Sequence, residues 1–476
     1  MHGPIYLTEQ IRRIEREAGE MLPPLMERAG AAAATLAARL ASDRNKDVLV
    51  LAGPGNNGGD ARIVAARLQE QFFRVTVASS PQELADRSWG LVVDGLFGIG
   101  LAREVEGPYA RLVDYANQQR CPVLALDVPS GLQSDTGRVL GHAVRATHTI
   151  TFIGLKPGLL TLDGPDHAGE ITVADLGVNP RASSTAWVAS AALFKEALKR
   201  RPRNFHKGQA GSLGILGGAS GMTGAALLAG RAALKLGAGR VYVGLLDESP
   251  MGVDPVSPEL MLRHVDDALG LDLNALVVGP GLGESERGET VVGAVLAAEI
   301  PCVLDADALN LLSQNESFRK TCAHRSAETL VTPHPAEAAR LLGSSVAAVQ
   351  ADRVKAARMI SENLRAHVVL KGNGSVVAAR DGHWFVNTTG NPGMASAGMG
   401  DVLAGMLGAL LAQRYSGEST LVLGTHLHGA AADELVRSGI GPIGLTAGEV
   451  TDAARRLWNT WLAEVAEGSD AGQTRA

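Results

Sequence analysis

The chain has 476 residues, of which 46% are hydrophobic, 20% charged and only 4% aromatic, with a formal net charge of -6. That balance argues against a general nucleic-acid binder, which carries a basic face. The three cysteines, Cys121, Cys302 and Cys322, lack C-x-x-C spacing and support neither a disulfide framework nor a zinc site.

The first segments read as helices: LTEQIRRIEREAG, then the Ala-rich LMERAGAAAATLAARLA. Charge falls where a signal peptide would carry its apolar core, and no apolar run reaches the ~18 residues of a membrane span. A cytoplasmic protein is expected. Short apolar runs ending in turn residues follow: DVLVLAGPG, FRVTVASS, LVVDGLFGIG, PVLALDVPSG, ATHTITFIG and EITVADLG. Helix-period stretches separate most of them, so parallel strands with helices on both faces are expected.

Gly53, Gly55 and Gly58 satisfy the dinucleotide-binding pattern G-x-G-x-x-G. That site needs an acid about 20 positions on to hold the ribose hydroxyls, yet FRVTVASS ends in Ser79 and Ser80. No lysine makes a Walker loop, and Asp60 at the helix start would repel phosphate. Nucleotide phosphate is disfavoured here. On the loop alone, Asn56 and Asn57 equally suit a left-handed turn, and Asp60 a helix cap. Two later strand ends carry Asp94, and Asp127 with Ser130; in a parallel sheet these ends face one crevice. Asn57, Asp94 and Ser130 then offer an amide, a carboxylate and a hydroxyl, an oxygen set suited to a hard, monovalent cation.

Between Ala189 and Arg203 the chain becomes basic and ends in a proline, as a helix leading into a linker would. The cluster Lys199, Arg200, Arg201 and Arg203 reads as a solvated face rather than a phosphate patch. A second strand-turn-helix series runs from HKGQAGSLG through GRVYVGLL, ALVVGPGLG, PCVLDADALNLL, ETLVTPHPAEAARLL and HVVLKGNGSVVAA to GMASAGMGDVLAGMLGALLAQ. The chain is therefore expected to form two doubly wound, three-layer αβα domains, residues 1–200 and 201–466.

In AGMGDVLAGM, Gly398 and Gly400 precede Asp401 and an apolar helix. The amides of residues 397–400 would form an anion hole for a phosphoryl group, with Asp401 in reach of a hydroxyl that must lose its proton. Upstream, Lys371–Ser375 reads as a strand-turn-strand hairpin able to wrap a nucleotide phosphate. His334, between two prolines, gains interest from Glu337 at helical spacing. Asp305 and Asp307 could bind Mg²⁺ or cap the helix after them.

The motifs L-M-E-R-A-G (25–30), N-N-G-G-D (56–60), D-G-L-F-G-I-G (94–100) and D-V-P-S-G (127–131) together resemble the NAD(P)H-hydrate epimerase domain, in which this half is Rossmann-like. The resemblance implies potassium at Asn57, Asp94 and Ser130. It implies substrate contacts at Asn56, Asn57, Gly58, Gly59 and Asp60, and at Gly98, Ile99, Gly100, Leu101, Ala102, Arg103 and Glu104. Asp127 would also touch substrate, as acid/base for interconversion at C6 of the hydrated nicotinamide. Ala61 stands where that family often has glycine.

The second half is similar to the ribokinase-like superfamily, and more closely to its ADP-dependent NAD(P)H-hydrate dehydratases. The motifs are H-K-G-x-x-G (206–211), G-M-T-G-A-A-L-L-A-G (221–230), G-P-G-L-G (279–283), D-A-D-A-L-N (305–310), T-P-H-P-A-E (332–337) and A-G-M-G-D (397–401). This implies substrate contacts at Ala226, Gly281, His334 and Asp401, with Asp401 as base. It implies AMP contacts at Lys371, Gly372, Asn373, Gly374, Ser375 and Gly400, with Ser375 where threonine is common. Mg²⁺ and ADP as phosphoryl donor come with it. A bifunctional repair enzyme follows, whose partners are small molecules, with neither nucleic acid nor membrane, in a homo-oligomer. The rival expectation is a small-molecule kinase acting on a vitamin precursor, with a non-catalytic N-terminal binding module.

Overall fold

The computed structural model describes residues 3–473 apart from 20, 44, 85–86, 179–183, 195–196, 199 and 249–250. The chain divides into two compact units, with Gly3–Trp187 in one and Val188–Ala476 in the other.

In the first unit, β1 (Val48–Ala52), β2 (Val75–Ala78), β3 (Leu91–Gly95), β4 (Val123–Leu126), β5 (His148–Phe152) and β6 (Glu170–Ala174) form a sheet ordered β2-β1-β3-β4-β5-β6. Every pairing in it is parallel. β1, β3 and β4 are buried at every residue because both faces are covered by helices. Val48, Val50, Val93 and Leu124 face one core, while Leu49, Leu51, Val92 and Val123 face the other. The strand order reverses between β1 and β3, where a doubly wound sheet opens its binding crevice. FRVTVASS supplies only β2, a short, partly exposed edge strand.

β7 (Ala186–Ala189) spans the boundary between the units. In the second unit, β8 (Ser212–Gly217), β9 (Arg240–Leu245), β10 (Met261–His264), β11 (Ala275–Val278), β12 (Cys302–Leu304), β13 (Thr329–Val331), β14 (His367–Leu370), β15 (Ser375–Ala378) and β16 (Trp384–Asn387) follow. The sheet runs β10-β9-β8-β11-β12-β13-β14-β15-β16-β7. Pairing is parallel from β10 to β14, then antiparallel across β14-β15-β16. A tight glycine turn after β14 leaves no room for a crossover helix, so the doubly wound pattern gives way to a hairpin there. The helix Met399–Ala412 is buried along nearly its whole length. It crosses the helix Thr223–Lys235 so closely that a Cβ at Gly405 would lie 2.0 Å from the Ala229 carbonyl oxygen. The helix expected after Ala189 is seen as Ala191–Phe194, and Lys199 of the basic cluster lies outside the described residues. Among the described residues, no helix is long and apolar enough to cross a membrane.

Candidate active sites

Gly53 closes β1 and Leu96 follows β3, and the two loops cross in contact. A Cβ on Gly53 would lie 1.8 Å from the Leu96 carbonyl oxygen, and one on Gly58 would lie 1.9 Å from that of Gly53. Gly53 and Gly58 of the G-x-G-x-x-G pattern thus serve chain crossing at the switch point, whereas a Cβ on Gly55 would meet nothing within 4 Å. The helix Asn56–Glu70 starts there, with Gly55 as its N-cap; Asp60 lies one turn in and does not cap it. Ala61 is buried against Gly95, beneath the loop rather than in it.

The three expected cation ligands converge. Asp94 is fully buried and accepts hydrogen bonds from the Ser130 hydroxyl (2.6 Å), the Ser130 amide (2.8 Å) and the Leu96 amide (3.2 Å). Asn57 donates its Nδ2 to the Phe97 carbonyl at 2.9 Å, and its buried Oδ1 has no partner. Burial pushes the Asp94 carboxyl up to about 6 despite the hydrogen bonds, and no cationic side chain offsets it. An orphaned amide oxygen beside an uncompensated buried carboxylate fits a bound cation. Gly98 abuts Asn57, Ile99 packs on the core, and Gly100 to Glu104 form an exposed loop at the mouth, apart from the half-buried Leu101.

Asp127 follows β4 with φ +64, a left-handed conformation that asparagine and aspartate tolerate. Its Oδ1 accepts from Lys156 Nζ at 2.5 Å, and that lysine has no exposed side-chain surface. Lys156 also donates to Thr151 Oγ1 (2.9 Å) and to the Phe152 carbonyl (2.8 Å), satisfying all three protons. Nothing in the sequence reading pointed to Lys156. Asp60 is buried, and desolvation, then Asp127 and Glu15, push its carboxyl up to about 7.

In the second unit, the helix Met399–Ala412 begins after Gly398, whose φ is +87. Its first intrahelical bond is from the Val402 amide to the Gly398 carbonyl at 3.0 Å. The amides without an intrahelical partner are therefore those of residues 398–401, overlapping the expected 397–400. Asp401 is in the first turn, and its carboxyl is pushed up to about 6, by burial first and then by Asp305.

Lys371, at the end of β14, directs its ammonium to Asp305 Oδ1 (2.9 Å), with Glu337 Oε2 at 4.0 Å. A Cβ on Gly400 would lie 3.5 Å from Lys371 Nζ, so this cation stands at the anion hole. Burial pulls the lysine down, but Asp305 and Glu337 outweigh it and its affinity for the proton rises. Thr332 Oγ1 also donates to Asp305 (2.6 Å), while Asp307 accepts from the Gly283 amide (2.8 Å). Neither aspartate caps the helix Asp307–Gln314. His334 Nδ1 accepts from the Ala336 amide (3.1 Å), and its Nε2 is 3.2 Å from Glu337 Oε1. Burial lowers the imidazole and raises Glu337 to about 7.

The hairpin 371–374 joins antiparallel β14 and β15 as expected. Ser375 Oγ bonds the Gly372 carbonyl (3.0 Å) and amide (3.2 Å), so its hydroxyl holds the turn. Arg353 lies buried beneath, donating to the Leu370 (3.2 Å) and Lys371 (3.3 Å) carbonyls; a Cβ on Gly372 would come within 2.8 Å of its guanidinium. Asn373 and Gly374 form the tip. Ala226 is buried on the helix Thr223–Lys235, and Gly281 (φ +59) sits close against Met222. They flank the switch point between β8 and β11.

A doubly wound domain with an oxygen-lined crevice, joined to one with a phosphate-type helix terminus and a nucleotide-type hairpin, defines a two-domain α/β enzyme. Residues 213–453 match the family described as NAD(P)H-hydrate dehydratase, and residues 23–90 and 80–158 match the YjeF-related protein N-terminus. The bifunctional NAD(P)H-hydrate repair enzyme Nnr of Escherichia coli (strain K12) is 38% identical over 498 residues, covering 96% of this chain and 94% of that one. The Coxiella burnetii enzyme of the same description is 38% identical, covering 96% of this chain and 99% of its own. A crystal structure of the ADP/ATP-dependent NAD(P)H-hydrate dehydratase from Bacillus subtilis, co-crystallised with ATP and Mg²⁺, superposes with a TM-score of 0.52 at 30% identity. It covers 58% of this chain and 98% of that one. The chain belongs to the bifunctional NAD(P)H-hydrate repair enzymes.

Proposed function

We propose that this chain restores hydrated NADH and NADPH, with residues 1–200 interconverting the R and S hydrates at C6 and residues 201–466 dehydrating the S form at the expense of ADP, giving AMP and phosphate. The observation that carries the second activity is Asp401 in the first turn of a helix whose free amides face Lys371. Hydroxide is a poor leaving group and phosphate a good one, so phosphorylating the C6 hydroxyl makes elimination feasible. Asp401 takes the hydroxyl proton as oxygen attacks phosphorus; the amides of 398–401 and the Lys371 ammonium stabilise charge on the phosphoryl oxygens. The hairpin 371–375 and Gly400 hold the AMP moiety, while Ala226, Gly281 and His334 line the hydrate.

Asp305 is committed to Lys371 and Thr332, so Mg²⁺ arrives on the nucleotide phosphates rather than in a preformed protein cage. Bound there, Mg²⁺ neutralises phosphate charge. Potassium would be held by Asn57, Asp94 and Ser130, and would supply the positive charge that the Asp94 carboxylate lacks. The loop 98–104 and residues 56–60 hold the hydrate against Asp127. A cytoplasmic homo-oligomer acting on small molecules, without nucleic acid or membrane, completes the proposal.

The test incubates mixed hydrate epimers with ADP or ATP and Mg²⁺ and follows NADH absorbance. Full recovery with release of free phosphate is expected. Recovery that stalls once the S form is consumed refutes the epimerase, and an accumulating phosphorylated product favours a kinase. Asp401→Asn should abolish recovery and spare epimerisation.

A further inference from the structure

Epimerisation at C6 requires one group to take a proton while another gives one. Two routes exist on paper. Expelling the C6 hydroxyl would leave a C6=N1 cation, which reaches the dihydropyridine simply by losing a C5 proton. That would make the nucleotide-dependent half of the chain unnecessary. Opening the ring keeps the oxygen on C6: the hydroxyl proton leaves, the C6–O bond becomes a carbonyl, and the C6–N1 pair passes to N1, which takes up a proton. Turning the aldehyde and closing the ring on its other face reverses each transfer.

Asp127 is placed to be the acceptor: its Oδ1 is ion-paired with the buried Lys156 ammonium at 2.5 Å. The donor must be a second group in the same crevice that is protonated at rest. Asp60 meets the geometric requirements. It is 8% exposed, stands in the first turns of the helix that opens at the switch point, and makes no hydrogen bond or ion pair among the described residues. Glu15 is the other carboxyl nearby, and desolvation and Asp127 raise it too, but it is exposed and, unlike Asp60, has Lys156, Arg12 and Arg16 drawing it back down.

We propose that Asp60 is the second catalytic carboxyl of the epimerase site, donating the proton to N1 on ring opening and recovering it on closure. Lys156 is the positioning residue that keeps Asp127 as its counterpart. The assignment rests on the epimerase reading. The charged groups facing Asp60 agree with it: Asp127 after β4 and Glu15 on the helix Thr8–Ala18 both disfavour its ionisation, as does burial, and no cation opposes them. Lys156 is spent on Asp127. One carboxyl paired with a buried ammonium and a second, buried one facing only other carboxyls form an acid/base division of labour by their surroundings alone.

The experiment uses the full chain with purified S hydrate and no nucleotide, following the R form chromatographically. Asp60→Asn should lower kcat for epimerisation at least 100-fold and leave NADH recovery from S hydrate within about twofold. Residual activity should lose the alkaline limb that the wild-type kcat profile shows near pH 7. Epimerisation within threefold of wild type overturns the assignment. If wild-type protein does not interconvert the epimers at all, the epimerase reading has failed instead. Lys156→Met should cut kcat at unchanged KM, and the double variant with Asp127→Asn, in which both charges are gone, should lose no more than Asp127→Asn alone. Losses that multiply overturn the positioning role.

Discussion

Replacing Glu337 by glutamine should make the second unit more stable in alkali and slightly less stable in acid. The Glu337 side chain is only 6% exposed, and burial, with Asp305 nearby, raises it from an ordinary 4.5 to about 7, even with Lys371 4.0 Å away. The folded protein therefore holds a proton that the unfolded chain releases between about pH 4.5 and 7. Stability falls as pH rises through that window, and the whole penalty is present above it. At ~1.4 kcal/mol per pH unit, the penalty at pH 8 is about 3 kcal/mol. Glutamine does not titrate and still accepts the His334 amide, which now bonds Glu337 Oε2 at 2.7 Å. It cannot also accept from His334 Nε2, because that needs its second oxygen, at a loss of about 1 kcal/mol. The net gain at pH 8 is about 2 kcal/mol, or roughly 3 °C in the melting of a unit this size. Below about pH 4.5 only the loss remains, and the sign reverses. Calorimetry at pH 4.5 and 8 checks this, following the transition that moves on adding ATP and Mg²⁺. An identical difference at both pH values would refute the argument.

Two further perturbations probe the sites separately. Asp94→Asn keeps the shape of the Ser130 cluster but removes its charge; epimerisation should fall at least tenfold and lose any response to K⁺ titration in Na⁺-free buffer, whereas NADH recovery from S hydrate should not change. Arg353→Met leaves the Leu370 and Lys371 carbonyls without their donor beneath the nucleotide turn. It should cost about 2–4 kcal/mol of stability and raise the KM for ADP about tenfold, with the KM for hydrate unaffected.

Most strands up to β14 were legible because a parallel strand covered on both faces reads as an unbroken apolar run; the short edge strands β7 and β10 were not. The meeting of Asn57, Asp94 and Ser130 followed from the same rule, since their strands end at one edge. The antiparallel β15 was legible as the second strand of a hairpin, because glycines at 372 and 374 mark its turn, but β16 was not, because that turn does not say what lies beside it. Lys156 was not legible. It is a lone lysine between Leu155 and Pro157, and its significance is an ion pair to a residue 29 positions earlier, which no periodicity encodes. Lys371 was recognised as part of a nucleotide motif, yet its ammonium faces Asp305, Glu337 and Gly400. A motif locates a residue; the direction of its side chain comes from tertiary packing.

Both units set a lysine against an aspartate that follows a strand, the buried Lys156 against Asp127 and the partly buried Lys371 against Asp305, and they use it differently. Lys156 is saturated by three acceptors, so it fixes Asp127 in place and has nothing left for substrate. Lys371 shares its charge among Asp305, Glu337 and the anion hole, so a phosphoryl group arriving at residues 398–401 can compete for it. The base proposed for that second site, Asp401, is set in the first turn of a helix packed along nearly its whole length, and cannot follow a hydroxyl to the other face of the ring. A rigid base and a fixed phosphate position accept one configuration at C6 and reject the other. Hydration produces both configurations, so the rejected epimer would accumulate unless its C6 were inverted. The stereochemical rigidity of the dehydratase half thus supplies the chemical reason for an epimerase half in the same chain.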